Sequence, residues 1–170
     1  MMFSKSFGYA VRGVLYIALL QGDKRFVRTD EIAKNLVVPR HFMGKILKRM
    51  VKEGVLLSAK GPAGGFTLGN QTLKLPLLRL LEITDGLETF KACSLRLQEC
   101  NEAAPCPLHC GMTEIKGQLK GLLSQTTIAN LLKEDKANFI KSISTTLLNN
   151  SGDKTKKYGY PKHSLHFYNC

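Results

Sequence analysis

The chain has 170 residues, of which 44% are hydrophobic and 22% are charged, and a formal net charge of +12. This length allows one sizeable core with an accessory element. No apolar run approaches the roughly 18 residues of a membrane span, so we expect no membrane association and a cytoplasmic protein.

The positive charge is concentrated in the first half of the chain. Residues 1–75 carry 13 basic against 4 acidic side chains, residues 76–150 carry 8 against 8, and residues 151–170 carry 4 against 1. A basic region beside a neutral one is typical of a phosphate-binding module attached to something else, whereas a generally basic protein would spread its charge evenly.

Three helices are predicted in the basic region. Apolar residues at three- and four-residue steps predict the first helix over residues 6–20. A second, short helix is expected to start at Thr29, which suits an N-cap and is followed by two acidic residues. The third is expected over residues 39–52, with Pro39 in its first turn and Gly54 ending it in a left-handed turn.

The third predicted helix sorts its side chains by face. We expect its apolar stripe, formed by Phe42, Ile46, Leu47 and Met50, to be buried. Two short helices joined by a tight turn, the second with a basic outer face, are typical of a helix-turn-helix. The residues outside the apolar stripe are His41, Gly44, Lys45, Lys48, Arg49 and Lys52.

A hairpin with a glycine-rich tip is predicted next. Residues 55–58 and 66–68 are expected to form its two strands, and Lys60 places a positive charge in the connecting loop. Such a loop could instead cradle a nucleotide phosphate. However, no Gly-Lys-Ser/Thr follows and the loop opens no helix, which disfavours that alternative.

The second half of the chain also predicts helices. Pro76 is expected to start an apolar helix that ends at Asp85-Gly86. Beyond about Pro107, an apolar seam at three- and four-residue steps suits pairing with a second copy, and packing on the helix's own domain is the alternative. Further helices are expected over residues 127–132 and 135–148. The seam consists of Met112, Ile115, Leu119 and Leu122.

These elements predict a mainly α fold with a small β-hairpin wing. We expect a winged helix-turn-helix domain over residues 1–75, a cysteine loop with a helical dimerisation region over residues 76–148, and a flexible basic tail over residues 149–170.

Four of the five cysteines lie between positions 93 and 110. A secreted disulfide scaffold would distribute its cysteines through a shorter chain, so this cluster indicates a metal site or a redox element. The pattern is C-x6-C-x5-C-x2-H, formed by Cys93, Cys100, Cys106 and His109. Thiolate ligands favour iron–sulfur centres, zinc or copper over hard ions.

Taken together, these residues resemble the Rrf2-type family of winged helix-turn-helix regulators, over roughly residues 2–145. The resemblance rests on Ser4-Lys5, Tyr9-Ala10-Val11-Arg12, the wing run SAKGPAGGF over residues 58–66, Asp85-Gly86, and Cys106-Pro107-Leu108-His109.

The resemblance implies a homodimer that binds double-stranded DNA at a pseudo-palindromic operator. It places Arg40, His41 and Gly44 at base edges, and the wing, with Lys60 and Gly64, at the minor groove. The basic residues Lys45, Lys48 and Arg49 are expected to contact phosphates or to remain solvated.

The resemblance also implies a repressor whose cysteine loop holds an iron–sulfur cluster, through which redox state, nitric oxide or iron–sulfur status modulates its DNA affinity. Members with clusters usually have five residues in the first cysteine interval, and this chain has six. One branch of the family uses the histidine that matches His109, whereas another borrows a carboxylate from the position of Gly8, which has no side chain here. His109 is therefore the expected fourth ligand, with Cys110 as its competitor.

Imidazole ligation favours a [2Fe–2S] cluster over a [4Fe–4S] cluster. The open alternative is a regulator of the same fold in which the loop binds zinc or forms a thiol–disulfide switch. An enzyme is disfavoured, because one histidine among cysteines, without an orienting partner, is weak support for catalysis.

Overall fold

The computed structural model describes residues 3–20, 26–95, 97 and 100–133. The helix expected over residues 135–148 and the tail expected from residue 149 lie outside this range. In chain order the elements are α1 Lys5–Leu19, α2 Thr29–Leu36, α3 Arg40–Lys52, β1 Leu56–Ala59, β2 Gly65–Leu68, α4 Leu77–Asp85, α5 Glu88–Lys91, α6 His109–Gln125 and α7 Ile128–Lys133.

Helix α1 lies at the centre of the fold and packs against α2, α3, α4 and the hairpin. Its N-terminus is capped by Ser4, whose Oγ accepts a hydrogen bond from the Phe7 N–H at 3.2 Å. Val14, Leu15 and Ile17 are almost fully buried on its inner face. The predicted first helix is therefore confirmed to within one residue at each end.

Helices α2 and α3 form the expected helix-turn-helix. Thr29 is the first helical residue of α2 and Arg28 occupies the N-cap, so the prediction of Thr29 as N-cap was wrong by one position. Helix α3 begins at Arg40, directly after Pro39. Its end is confirmed: Gly54 is left-handed at φ 73°, and the Val55 N–H donates to the Met50 carbonyl at 2.9 Å.

The buried stripe of α3 differs from the prediction at one residue. Phe42 was expected to point inward, but its side chain is 49% exposed, and Met43 is buried instead. Met43 lies three, four and seven positions before Ile46, Leu47 and Met50, which is the helical spacing of one face. Phe42 falls outside that face, and its ring lies 4.2 Å from the ring of His41.

The hairpin pairs Leu56 with Leu68 and Ala59 with Gly65 in antiparallel register. Its first strand runs one residue later than predicted. Val27 adds an unpredicted bridge to β2: its N–H donates to the Phe66 carbonyl at 2.8 Å and its carbonyl accepts from the Phe66 N–H at 2.9 Å. The wing base is thus tied to the segment before α2.

The second half of the chain packs back onto the first. The Leu77 N–H donates to the Thr126 carbonyl at 2.9 Å, and the Ile128 N–H donates to the Leu75 carbonyl at 3.1 Å. Leu123 and Ile128 belong to the same buried cluster as α1 and α3. One core therefore includes residues on both sides of position 75. Within the described ranges, no helix is long and apolar enough to cross a membrane.

Candidate nucleic-acid interface and metal centre

The outer face of α3 carries the predicted DNA-contacting residues. Because the apolar stripe of the helix packs on α1 and α2, the polar side chains point away from the core. Gly44 is half-buried near Thr29, and a Cβ at Gly44 would lie 3.7 Å from the Thr29 methyl, an ordinary contact. The exposed residues of this face are Arg40, His41, Lys45, Lys48, Arg49 and Lys52.

Two of these cations contact other parts of the protein. The Nε of Arg40 forms an ion pair with Oδ1 of Asp30 in the first turn of α2. Arg49 Nη1 donates to the Thr84 carbonyl near the end of α4, at 3.4 Å. The first contact lies at the N-terminal end of α3, whereas the second links α3 to the element that leads into the cysteine loop.

The wing tip contains two glycines that the local backbone requires. A Cβ at Gly64 would lie 2.3 Å from the Ala59 carbonyl oxygen, and one at Gly65 would lie 2.5 Å from the Val27 carbonyl oxygen. Gly64 is buried, so close packing explains its lack of a side chain without any contact to DNA. Lys60 is exposed at the same tip.

Three cysteines from the loop between α5 and α6 converge. The Sγ atoms of Cys93, Cys100 and Cys106 all lie within 4.8 Å of one another, and those of Cys93 and Cys106 are 3.9 Å apart. In the loop, Asn101 Oδ1 accepts from the backbone N–H groups of Ala103 and Ala104, both at 2.9 Å. This turn brings the chain from Cys100 back toward Cys106.

His109 lies beside this cysteine triad. As the first residue of α6, it places its Nδ1 3.2 Å from the Sγ of Cys100. The neighbouring Cys110 is not among the free thiols, which in the described part of the chain are the three triad members. A set of three thiols and one imidazole fits a soft-metal or iron–sulfur centre.

The local backbone changes the acidity of the thiols. The pKa of Cys93 is lowered to about 7, mainly because the Leu97 N–H donates a hydrogen bond to its sulfur. Burial raises this pKa, and a hydrogen bond from the Leu95 N–H lowers it further. The Cys106 N–H favours the Cys100 thiolate, but burial and the sulfurs of Cys106 and Cys93 outweigh it and raise the pKa of Cys100. At neutral pH, Cys93 is thus more ionised than Cys100.

A lysine of α6 also reaches the triad. Lys116 Nζ donates to the carbonyl of Ala92, the residue before Cys93, at 2.5 Å. Lys116, His109 and the three cysteines line one small cavity of about 50 Å³. The Lys116 hydrogen bond therefore ties α6 to the backbone at the start of the cysteine loop.

Sequence patterns missed three residues of these sites. Lys116 lies two helical turns after His109, a spacing that could have placed both on one face of α6. Phe42 was assigned to the wrong face. Asp30 was interpreted only as a favourable charge at a helix N-terminus, because its contact with Arg40 crosses the turn between two helices.

The fold and the two sites define a winged helix-turn-helix protein with a cysteine-rich loop. Residues 3–134 match the family Rrf2, described as iron-dependent transcriptional regulator. The chain belongs to this family of transcription regulators, which bind DNA and are not enzymes.

Individual relatives and structures agree with this assignment. The chain is 34% identical to a protein of Aquifex aeolicus that is assigned to the HTH-type transcriptional regulators. The 134 aligned residues cover 78% of this chain and 92% of that protein. It is 23% identical to the HTH-type transcriptional regulator IscR of Photobacterium profundum, over 91% of this chain and 88% of that protein.

Among solved structures, CymR (YrzC), the global cysteine regulator of B. subtilis, matches with a TM-score of 0.65 and 18% identity, covering 77% of this chain and 95% of that one. T. potens IscR matches with a TM-score of 0.60 and 17% identity, covering 77% and 85%. These two structures share the fold.

Proposed function

We propose that this protein is a cytoplasmic, operator-specific regulator that binds duplex DNA as a homodimer and whose affinity depends on a metal cofactor in the cysteine loop. The observation that carries the DNA-binding part is the exposed basic face of α3 beside the hairpin. A helix with one side packed on a core and the other cationic fits the major groove, where bases and phosphates are both within reach.

The proposed contacts divide into two classes. Arg40, His41 and Gly44 lie at or near the N-terminal end of α3, the end that contacts base edges in helix-turn-helix proteins. Lys45, Lys48 and Arg49 lie further along and would neutralise phosphates. In the wing, Lys60 would enter the minor groove, and Gly64 would keep the tip narrow.

Helix α6 supports pairing of two copies. Leu108, Ile115 and Leu122 are exposed, and they repeat every seven residues, so they share one side of the helix. The other two seam residues face inward: Leu119 packs on the core, and Met112 lines the triad cavity. The proposed dimer contact is therefore narrower than the four-residue seam predicted from the sequence.

For the cofactor, we propose an iron–sulfur cluster held by Cys93, Cys100, Cys106 and His109, with [2Fe–2S] favoured over [4Fe–4S]. When bound, it would supply a redox-active centre that oxygen or nitric oxide can alter. The triad geometry supports three thiolate ligands, and the short Cys100–His109 distance favours His109 over Cys110 as the fourth.

A second candidate cofactor role comes from the same distances. Three thiols and an imidazole also suit tetrahedral zinc, and the 3.9 Å separation of the Cys93 and Cys106 sulfurs would allow a disulfide after a small movement. In either case the loop would remain a regulatory element on the same fold.

DNA recognition can be tested by selecting bound duplexes from a random-sequence pool with the full chain. We expect enrichment of a pseudo-palindrome, because a two-fold symmetric dimer presents two identical reading helices. Failure to enrich any sequence, with protein purified anaerobically and in air, would contradict operator-specific binding.

The cofactor can be identified on protein isolated without oxygen. A cluster predicts a coloured protein with visible absorption, iron and sulfide in the expected ratio, and an electron paramagnetic resonance signal in one oxidation state. A colourless protein with one equivalent of zinc would instead support the zinc site. A Cys100→Ala variant that retains the same metal content as the wild type would contradict both assignments.

A further inference from the structure

Asp30 places a carboxylate next to the DNA-reading end of α3. It lies in the first turn of α2 and forms an ion pair with Arg40, the first residue of α3. Both side chains are well exposed, 52% for Asp30 and 73% for Arg40. Exposed ion pairs of this kind add little to the free energy of folding, so a role in stability alone does not account for the Asp30–Arg40 pair.

An acidic group in this position carries a cost for DNA binding. Residues 1–75 contain only four acidic side chains, and a carboxylate close to a phosphate backbone repels it. Of the other acids, Glu31 accepts from the Tyr16 hydroxyl and Glu53 pairs with Arg79 of α4. Among the described acids of this region, Asp30 is the one that pairs with a cation on the exposed basic face of α3, the face proposed to read DNA.

The contact with Asp30 leaves the two terminal nitrogens of Arg40 available to another acceptor. Asp30 is bound through Nε of Arg40, on the side of the guanidinium nearest the helix. The two terminal nitrogens carry four of the five N–H donors, and such a pair of donors matches the O6 and N7 acceptors of guanine. A guanidinium held at Nε also loses rotamer freedom before it meets the base.

We propose that Asp30 is a specificity-determining positioning residue: it holds Arg40 in an orientation suited to one guanine and withholds that cation from phosphates of other sequences. This inference rests on the proposed function, because it assumes that the N-terminal end of α3 reads base edges. Asp30 touches no base in this scheme; it acts through Arg40.

Loss of the Asp30 carboxylate should have opposite effects on binding to the operator and to unrelated DNA. At unrelated sequences, pairing with Asp30 competes with the phosphates for Arg40 and weakens its phosphate contact. Removal of the carboxylate ends this competition, so the slope of log affinity against log salt steepens by up to about 0.9 on unrelated duplex. At the operator, the lost orientation lowers discrimination at one base pair by about tenfold.

The test measures fluorescence anisotropy of the selected operator, of a scrambled duplex, and of an operator with one guanine replaced per half-site, over a salt series. Asp30→Asn is expected to raise affinity for the scrambled duplex by at least about threefold and to lower the operator-to-scrambled ratio. Glu53→Gln is the matched control: it makes the same charge change at the other end of α3 and is expected to leave the ratio unchanged.

Arg40→Met and the double variant Asp30→Asn/Arg40→Met complete a double-mutant cycle. In the Arg40→Met background, the proposal requires that Asp30→Asn changes the operator-to-scrambled affinity ratio no more than Glu53→Gln does. Equal effects of Asp30→Asn and Glu53→Gln in the presence of Arg40 would overturn the positioning role while leaving DNA binding intact. Absence of any operator preference in the wild-type protein would overturn the proposed function itself.

Discussion

Val37 occupies an unfavourable backbone conformation in the turn between α2 and α3. Its φ is 51°, in the left-handed region, and its N–H donates to the Lys34 carbonyl at 3.3 Å in the cap that ends α2. Glycine or asparagine usually fills this position, since a β-branched side chain clashes there with its own backbone. The side chain is 63% exposed, so it gains little from burial in return.

Replacing Val37 with asparagine should therefore stabilise the protein. We expect Val37→Asn to raise the free energy of unfolding by about 0.5–1 kcal/mol, because asparagine tolerates the left-handed region. Urea denaturation followed by circular dichroism measures this change. Val37→Ala keeps a Cβ in the strained conformation and is the control; equal midpoints for the two variants would argue against relief of strain.

At the same scale, the limits of prediction are visible in two side chains. Phe42 lies four and eight residues before Ile46 and Met50, which is also a helical spacing, so the prediction placed it in the stripe. Met43 fits the stripe better, because it is also in step with Leu47, and the packing of α3 on α1 buries it. The Asp30–Arg40 contact has no sequence signal either, because it depends on the angle between two helices. By contrast, Gly54 was predictable, since a left-handed helix end strongly favours glycine.

Helix α3 is the element on which the DNA proposal depends. Its lysines offer a test that separates phosphate contacts from base contacts. Lys45→Gln and Lys48→Gln should each flatten the slope of log affinity against log salt by about 0.9 without changing the preferred operator, because a phosphate contact carries no sequence information. Salt titrations of binding to the operator and to a scrambled duplex measure both the slope and the preference for the operator.

Lys120→Gln, which makes the same charge change at an exposed position of α6, is the control for these lysine variants and should leave the slope unchanged. A change in operator preference on loss of either lysine would mean that these side chains read bases and that the two classes of contact are wrongly divided.

Helix α6 is the proposed pairing element. The double variant Ile115→Lys/Leu122→Lys should convert a dimer, of twice the 18.9 kDa chain mass, into a monomer at micromolar concentration, because two buried like charges would face their copies. Light scattering coupled to size exclusion measures the mass. Gly117→Lys/Ser124→Lys places the same charges on the opposite side of the helix, and a monomer there too would contradict pairing through Ile115 and Leu122.

Among the described elements, the hairpin and every helix except the short α5 could be predicted because their signals are local: periodic apolar residues, a proline before a helix, and glycines after one. The bridge between Val27 and Phe66 could not, nor could the pairing of Leu77 with Thr126, since each joins segments distant in sequence. The cysteine spacing predicted a shared site. The two-turn spacing of Lys116 from His109 put both on one face of α6, but the contact of Lys116 with the Ala92 carbonyl depends on the fold of the loop.

At the scale of the whole molecule, the triad and the reading helix are joined by a short series of contacts. Lys116 holds the carbonyl before Cys93, and the loop leads back through α5 to Asp85 at the end of α4. Asp85 accepts from the Ser4 N–H at 2.7 Å and from the Ser4 hydroxyl at 2.5 Å, while Arg49 of α3 donates to Thr84. The end of α4, which precedes the cysteine loop, thus contacts both α1 and α3.

Such a connection has a thermodynamic meaning only if the two loop states differ in DNA affinity. Allosteric coupling in proteins typically changes affinity by about 5- to 150-fold, and a ligand that stabilises both states equally changes nothing.

The most direct measurement is operator affinity, under anaerobic conditions, of the metal-loaded protein and of its Cys93→Ala/Cys100→Ala/Cys106→Ala variant, with circular dichroism and dimer mass checked for both. We predict that the two affinities differ by at least about fivefold, whichever form binds more tightly. Equal affinities for two folded, dimeric proteins would contradict control of DNA binding by the cysteine loop.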